Sequence, residues 1–174
     1  MADGIVIEVE LTENIRAALD RLVGAGTDLT PAMKDIAGHL ADRTRERFET
    51  GRGPTGVPWK PSQRVRENPG SKTLVDTTDL LTSIRENWGR DFAEAGPEAS
   101  GGAARYAAIH QFGGEIRPKN GRALSFGGRL VSRVVMPARP YLGFTPEDAD
   151  YALDVLRDLV ARALGGGTAP GAPA

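Results

Sequence analysis

Residues 30–51 read TPAMKDIAGHLADRTRERFETG, and the fold is decided by how this stretch is read. Met33, Ile36, Ala37, Leu40, Thr44 and Phe48 recur at helical spacing, so they share one face of an amphipathic α-helix over 31–50. Thr30-Pro31 predicts its start, with the threonine hydroxyl capping free amides and proline at the first helical position. Gly51 predicts its end.

Upstream, Gly4 to Leu11 alternates, with Ile5, Ile7, Val9 and Leu11 on one face, the pattern of a half-buried strand. Thr12 then caps a short helix carrying Ile15, Ala18, Leu19 and Leu22, which Gly24-Ala25-Gly26 stops. Downstream, GRGPTGVPWKPSQRVRENPGSK (51–72) holds four prolines and four glycines, a density expected to exclude any regular element. A loop of that length tends to be functional or to order on binding. Trp59 lies between two of its prolines, so the ring either folds back on the core or docks on a neighbour.

Beyond the loop, Asp76 or Thr77 is expected to cap a short helix through Leu80 and Leu81. Ile84–Trp88 and Phe92–Gly96 predict a hairpin around Gly89-Arg90. Ala103–Phe112 predicts a helix ended by Gly113-Gly114. Residues 113–129 form a second long loop, and Leu130–Met136 predicts one β-branched strand. Pro137 and Pro140 bracket an extended connection. Thr145-Pro146-Glu147-Asp148 starts a second long helix, its acids at the positive end of the dipole. Ala149, Ala152, Leu153, Leu156, Leu159, Val160, Ala163 and Leu164 form its apolar stripe. The element order predicts a single α+β domain over 1–164, an antiparallel β-sheet packed against two long α-helices, with a disordered tail over 165–174.

The chain has 174 residues, enough for a core without disulfide or metal. With no cysteines, disulfides, thiolate nucleophiles and thiolate-bound zinc are excluded. MADGIVIEVELTENI lacks the basic and apolar regions of a secretory signal, and no apolar stretch approaches the roughly 18 residues of a membrane span. Net charge is -1, yet it alternates in blocks: -4 over 1–30, +4 over 31–72, -4 over 73–104, +6 over 105–139 and -3 over 140–174. A chain patterned in this way can offer complementary faces to copies of itself or to partners. Acidic helices and basic loops would produce the same pattern by themselves.

Catalysis finds no foothold, and no metal or cofactor is expected. Gly51-Arg52-Gly53-Pro54-Thr55-Gly56 spells G-x-G-x-x-G, but it follows a helix and contains Pro54, where a dinucleotide site needs a strand before and a helix after. It reads as a helix stop and a loop. His39 and His110 stand alone, without metal-ligand spacing or a G-x-S-x-G serine. Asp76 and Asp79 are better explained as capping residues. Arg105, Arg117, Lys119, Arg122, Arg129, Arg133 and Arg139 form a basic block, but the motifs and stacking platforms of a nucleic-acid binder are missing. Docking on an acidic protein surface is the favoured use of the block.

Four stretches carry a family likeness. They are Gly56-Val-Pro-Trp-Lys-Pro61, Leu74-Val-Asp-Thr-Thr-Asp-Leu-Leu-Thr-Ser-Ile84, Tyr106-Ala-Ala-Ile-His-Gln-Phe-Gly-Gly114 and Met136-Pro-Ala-Arg-Pro-Tyr-Leu-Gly143. In this order they resemble the phage virion morphogenesis family. Thr78 departs from it, since the family often has glycine before this leucine, which puts the local turn geometry in doubt. The resemblance implies a structural virion protein, not an enzyme. It would act in tail completion or termination at the head–tail junction, as a ring, commonly hexameric, that caps the tail tube and permits head joining. Implied partners are sister copies, the tail tube protein and head-completion or connector proteins. The implied location is the virion, with the host cytoplasm during assembly and no membrane. DNA would be met only in passing through the ring; a DNA-binding neck module is the alternative, separable by salt-dependent duplex binding.

Within this reading Trp59, Arg117, Lys119, Arg122 and Arg139 are the interface candidates. Trp59→Ala is expected to impair assembly more than folding, although ordinary core packing is an equal alternative. Charge reversal at Arg117, Lys119 and Arg122 is expected to weaken head–tail joining without lowering Tm. Arg139, held between prolines, is set for a salt bridge, within the subunit or across an interface.

Overall fold

The computed structural model describes residues 20–21, 23–24, 26, 28–98, 102–119, 121, 123–126 and 128–164. The strand expected at 4–11, most of the helix expected after Thr12, Arg122 and the 165–174 tail lie outside them.

Helix α1 spans Thr30–Thr50, with Pro31 in its first turn and Gly51 closing it at φ 66°, the left-handed geometry that glycine tolerates. Its start differs from expectation. Leu29 holds the cap position without a side-chain bond, and the amide of Thr30 donates to Asp28 Oδ1 at 3.0 Å. Thr30 is therefore a helical residue, and Asp28 supplies the acceptor from outside.

The 51–72 stretch is not devoid of regular structure. Trp59 N–H donates to the Gly51 carbonyl and Gly53 N–H to that of Val57, which folds 51–59 back on itself. A short helix, α2, covers Gln63–Glu67, with Ser62 Oγ accepting from Val65 N–H. No proline falls between Pro61 and Pro69, leaving Ser62 free to cap a helix in that interval.

Helix α3 is Asp79–Thr82, entered through Thr78 at φ 65°. Neither expected residue caps it. Asp76 pairs with Arg64 Nε at 3.2 Å, and Thr77 Oγ1 donates to Asp79 Oδ2. Left-handed backbone is disfavoured for a β-branched residue, so the departure from glycine noted at Thr78 falls on a strained position. Thr78→Gly should raise unfolding stability by about 0.5–1 kcal/mol, the relief of strain minus the extra chain entropy of glycine. Urea titration would check it; a loss of stability would mean the threonine makes compensating contacts.

Strands β1 (Ile84–Trp88) and β2 (Ala93–Pro97) pair antiparallel from Ile84↔Pro97 to Trp88↔Ala93, the expected hairpin, and lie on α1. Helix α4 is Ala104–Phe112, ended by Gly113 at φ 70°, also as expected. Strands β3 (Gly114–Ile116), β4 (Leu124–Phe126), β5 (Arg129–Val131) and β6 (Val134–Met136) follow, with β3 on β6 and β4 on β5. Helix α5 covers Pro146–Leu164 and packs on α1.

The α+β class holds, but the single sheet does not: among the described residues there are three separate two-stranded antiparallel sheets. The strand expected over Leu130–Met136 is likewise split at Ser132-Arg133. Between β3 and β4, Pro118 has no amide for a ladder and Gly121 takes φ 67°. Among the described residues none pairs with 132–133 in a strand ladder. Two of the four strands lie within the stretch expected to be loop, 113–129.

The core has two lobes on α1. In one, Leu29, Met33 and Ile36 meet Trp88 and the α5 residues Ala152, Val155, Leu156 and Leu159. In the other, Ala41 and Phe48 meet Trp59, Leu80, Ile84, Ala107, Tyr141 and Leu142. The rings of Trp59 and Tyr141 stand 5.7 and 5.3 Å from that of Phe48.

Candidate functional site

The second lobe collects all four quoted family stretches: Trp59 from the first, Leu80 and Ile84 from the second, Ala107 from the third, Tyr141 and Leu142 from the fourth. Its keystone is the extended segment 136–143, which belongs to no helix or strand after Met136 and must find partners for its backbone elsewhere. Side chains supply most of them. Gln111 Oε1 accepts from the amides of both Tyr141 and Leu142 at 3.0 Å, while its Nε2 donates to the Leu142 carbonyl at 2.9 Å. Trp59 Nε1 donates to the Pro140 carbonyl at 3.0 Å. The amide of Arg139 donates to the His110 carbonyl at 2.7 Å, and Tyr141 O–H to that of Ala107 at 3.3 Å. Burial pushes the Tyr141 phenol well above its ordinary value. Close approach requires glycine at Gly113, where a Cβ would stand 2.6 Å from the Ala138 nitrogen.

Arg47 ties this segment to a buried charge cluster. Its Nη1 donates to the carbonyls of Tyr141 and Gly143 at 3.1 and 3.0 Å, and its Nη2 stands 3.5 Å from Asp148 Oδ2. Asp148 is 1% exposed. The same Oδ2 accepts from the amide and hydroxyl of Thr145 at 2.9 and 3.0 Å, and Asp148 N–H donates back to Thr145 Oγ1, a reciprocal cap at the start of α5. Its Oδ1 meets His39 Nε2 at 3.0 Å and Arg43 Nε at 3.6 Å. His39 in turn stacks on Tyr151 at 3.9 Å. Burial lowers the pKa of Arg47, opposed by the Asp148 charge.

The sequence-predicted residues scatter over this frame. Trp59 is 6% exposed and covered by the subunit's own residues, so the chain itself folds the ring back on the core. Arg139 is buried and donates through Nε to the Lys60 carbonyl at 2.9 Å. Among the described residues no carboxylate pairs with it, so of the two expected salt bridges the one within the subunit is not formed, and a carbonyl takes its place. Arg117 and Lys119 are exposed, and Arg117 and Arg133 both approach Glu115. The candidates therefore do not converge: two are core residues and two sit on the β3–β6 and β4–β5 side.

Sequence reading missed Asp148, Arg47 and Gln111 as hubs. Their partners lie far away in the chain, and no local pattern singles them out. Among the described residues no group of His, Asp and Glu is arranged to hold a metal ion, and no helix is long and apolar enough to cross a membrane.

His110 is half-buried, with its Nδ1 turned away from solvent. Its Nδ1 has no hydrogen-bond partner among the described residues, and its ring meets Tyr106 edge-on. Burial, then the Arg139 charge, lowers its pKa. The unfolded chain thus takes up a proton here at higher pH than the folded one. Stability should fall as pH drops below the ordinary imidazole value of about 6.5, and go on falling to the lowered folded value. His110→Phe should flatten that part of a pH–stability curve; an unchanged acid limb would show that His110 does not contribute.

Residues 10–161 match the phage virion morphogenesis family. The chain is 36% identical over 154 residues to the Mu-like prophage FluMu G protein 2 of Haemophilus influenzae, covering 88% of this chain and 94% of that protein. It is 30% identical to tail completion protein S of Escherichia phage P2, over 79% of this chain and 91% of that protein. It is also 30% identical to the putative capsid assembly protein G of Escherichia phage Mu, over 86% and 90%. No solved structure matches. A family match across most of the chain, and relatives covered almost end to end, place the protein plainly: it belongs to the phage virion morphogenesis family.

Proposed function

We propose that this protein is a structural tail-completion subunit that assembles as a ring at the head–tail junction, capping the tail tube and permitting a filled head to join. One observation carries the reading: the match runs through 10–161 and includes a tail completion protein covered over 91% of its length. The internal arrangement agrees with an assembly role. The family stretches converge on one packed core, where they hold backbone in place and leave the outer surfaces to meet partners. Sister copies, the tail tube protein and head-completion or connector proteins are those partners, and the virion is where the protein resides. Its basic block offers little to DNA, because Arg139 is buried and Arg117 and Arg133 flank Glu115.

Electron microscopy of lysates from phage lacking this protein tests the role. Separate filled heads and unjoined tails are expected, with joining restored by adding purified protein. Normal joined particles in its absence would overturn the reading.

A further inference from the structure

Strands β3 and β6 form the base of a hairpin arm within 114–136, and β4 and β5 form its tip. None of its described residues is buried, although it carries Ile116, Leu124, Leu130, Val131, Val134 and Val135. Leu130 and Val135 are 77% and 67% exposed. A two-stranded ribbon is marginal alone, and aliphatic side chains displayed in this way mark a contact surface. The arm is also basic, with Arg117, Lys119, Arg129 and Arg133 against the single acid Glu115 among its described residues.

The same chain carries the complementary surface. On α5, Asp150, Asp154 and Asp158 are exposed and four residues apart, which lines them along one helical face. Leu153 lies beside them, half-buried and outside the patch that packs on α1. The pairs Asp154–Arg157 at 2.9 Å and Asp158–Arg162 at 4.0 Å are surface ion pairs, which hold their partners weakly.

We propose that the 114–136 arm of one subunit docks on the acidic face of α5 of a second copy, its aliphatic residues covering Leu153 and its cations facing the aspartates. The contact joins two different surfaces, so it propagates head to tail and closes into a ring when the rotation permits. This rests on the ring reading above and adds which surfaces meet.

The test is self-association of the full chain by sedimentation velocity across a concentration series. Leu130→Asp, the pair Lys119→Glu/Arg129→Glu, and the pair Asp150→Lys/Asp154→Lys should each weaken self-association by about tenfold or more. Tm should not change, because every altered side chain is exposed. Combining the two charge-reversed pairs in one chain should restore assembly, which general loss of solubility would not do. If the wild type assembles and the variants assemble equally well, the arm contact is wrong while the ring stands. Should the wild type stay monomeric both free and on isolated tails, the arm contact and the ring fall together.

Discussion

Asp148→Ala should cost about 3–5 kcal/mol of unfolding stability, the penalty for stripping one partner from a buried charge cluster. The side chain does three things at once. It faces the buried Arg47 guanidinium, caps α5 through Thr145, and receives His39 and Arg43 from α1. Alanine would leave Arg47 with two carbonyl acceptors and without its ion-pair partner, in a setting where burial already lowers its pKa. Asp148→Asn keeps the acceptor oxygen and much of the cap, and should lose less than alanine. Replacing both partners, as in Asp148→Ala/Arg47→Met, should recover part of the loss, since no charge is then stranded. The measurement is a double-mutant cycle by urea denaturation. A loss within about 0.5 kcal/mol for Asp148→Ala, the range of ordinary surface changes, would remove Asp148 from its place as a hub.

Periodicity and punctuation made parts of this fold legible in the sequence, and long-range pairing hid the rest. The helices at 30–50 and 146–164 each announce themselves by an apolar stripe between a proline in the first turn and a glycine stop. The 84–97 hairpin is legible for a similar reason, being a local turn between two short runs. By contrast, Arg47 and Asp148 are about a hundred positions apart, and nothing local marks them as partners. Asp148 read as a dipole-compatible acid because helix starts commonly carry one. The arm was missed by a different route. The sequence between Ile116 and Leu124, with Pro118 and Gly121, resembles a loop, and only the pairing of Gly114 with Met136 and Ile116 with Val134 reveals the ribbon. The family likeness was legible because its pieces are short and contiguous, yet their purpose was not. Each contributes buried residues from a separate segment, and they acquire meaning only when Trp59, Leu80, Ala107 and Tyr141 meet.

That convergence alters what is expected of Trp59→Ala. Removing a buried aromatic side chain costs about 3–5 kcal/mol, so the variant should be strongly destabilised as a subunit, before assembly is considered. The ring packs edge-on against Phe48, and its Nε1 satisfies the Pro140 carbonyl in the segment that Gln111 and Arg47 also hold. Alanine would open a cavity and orphan that carbonyl together. Trp59→Phe should retain most of the packing and lose the hydrogen bond, a smaller loss of about 1–3 kcal/mol. Stability is read by urea titration, and tail-joining activity is then compared per folded subunit at low temperature. Lowered stability with normal joining per folded subunit is the expected outcome, since the ring's neighbours are all within its own chain. A folded, stable Trp59→Ala protein that cannot join tails would mean the opposite: the loop would release the ring on assembly, and the indole would be held on the core only until a partner takes it.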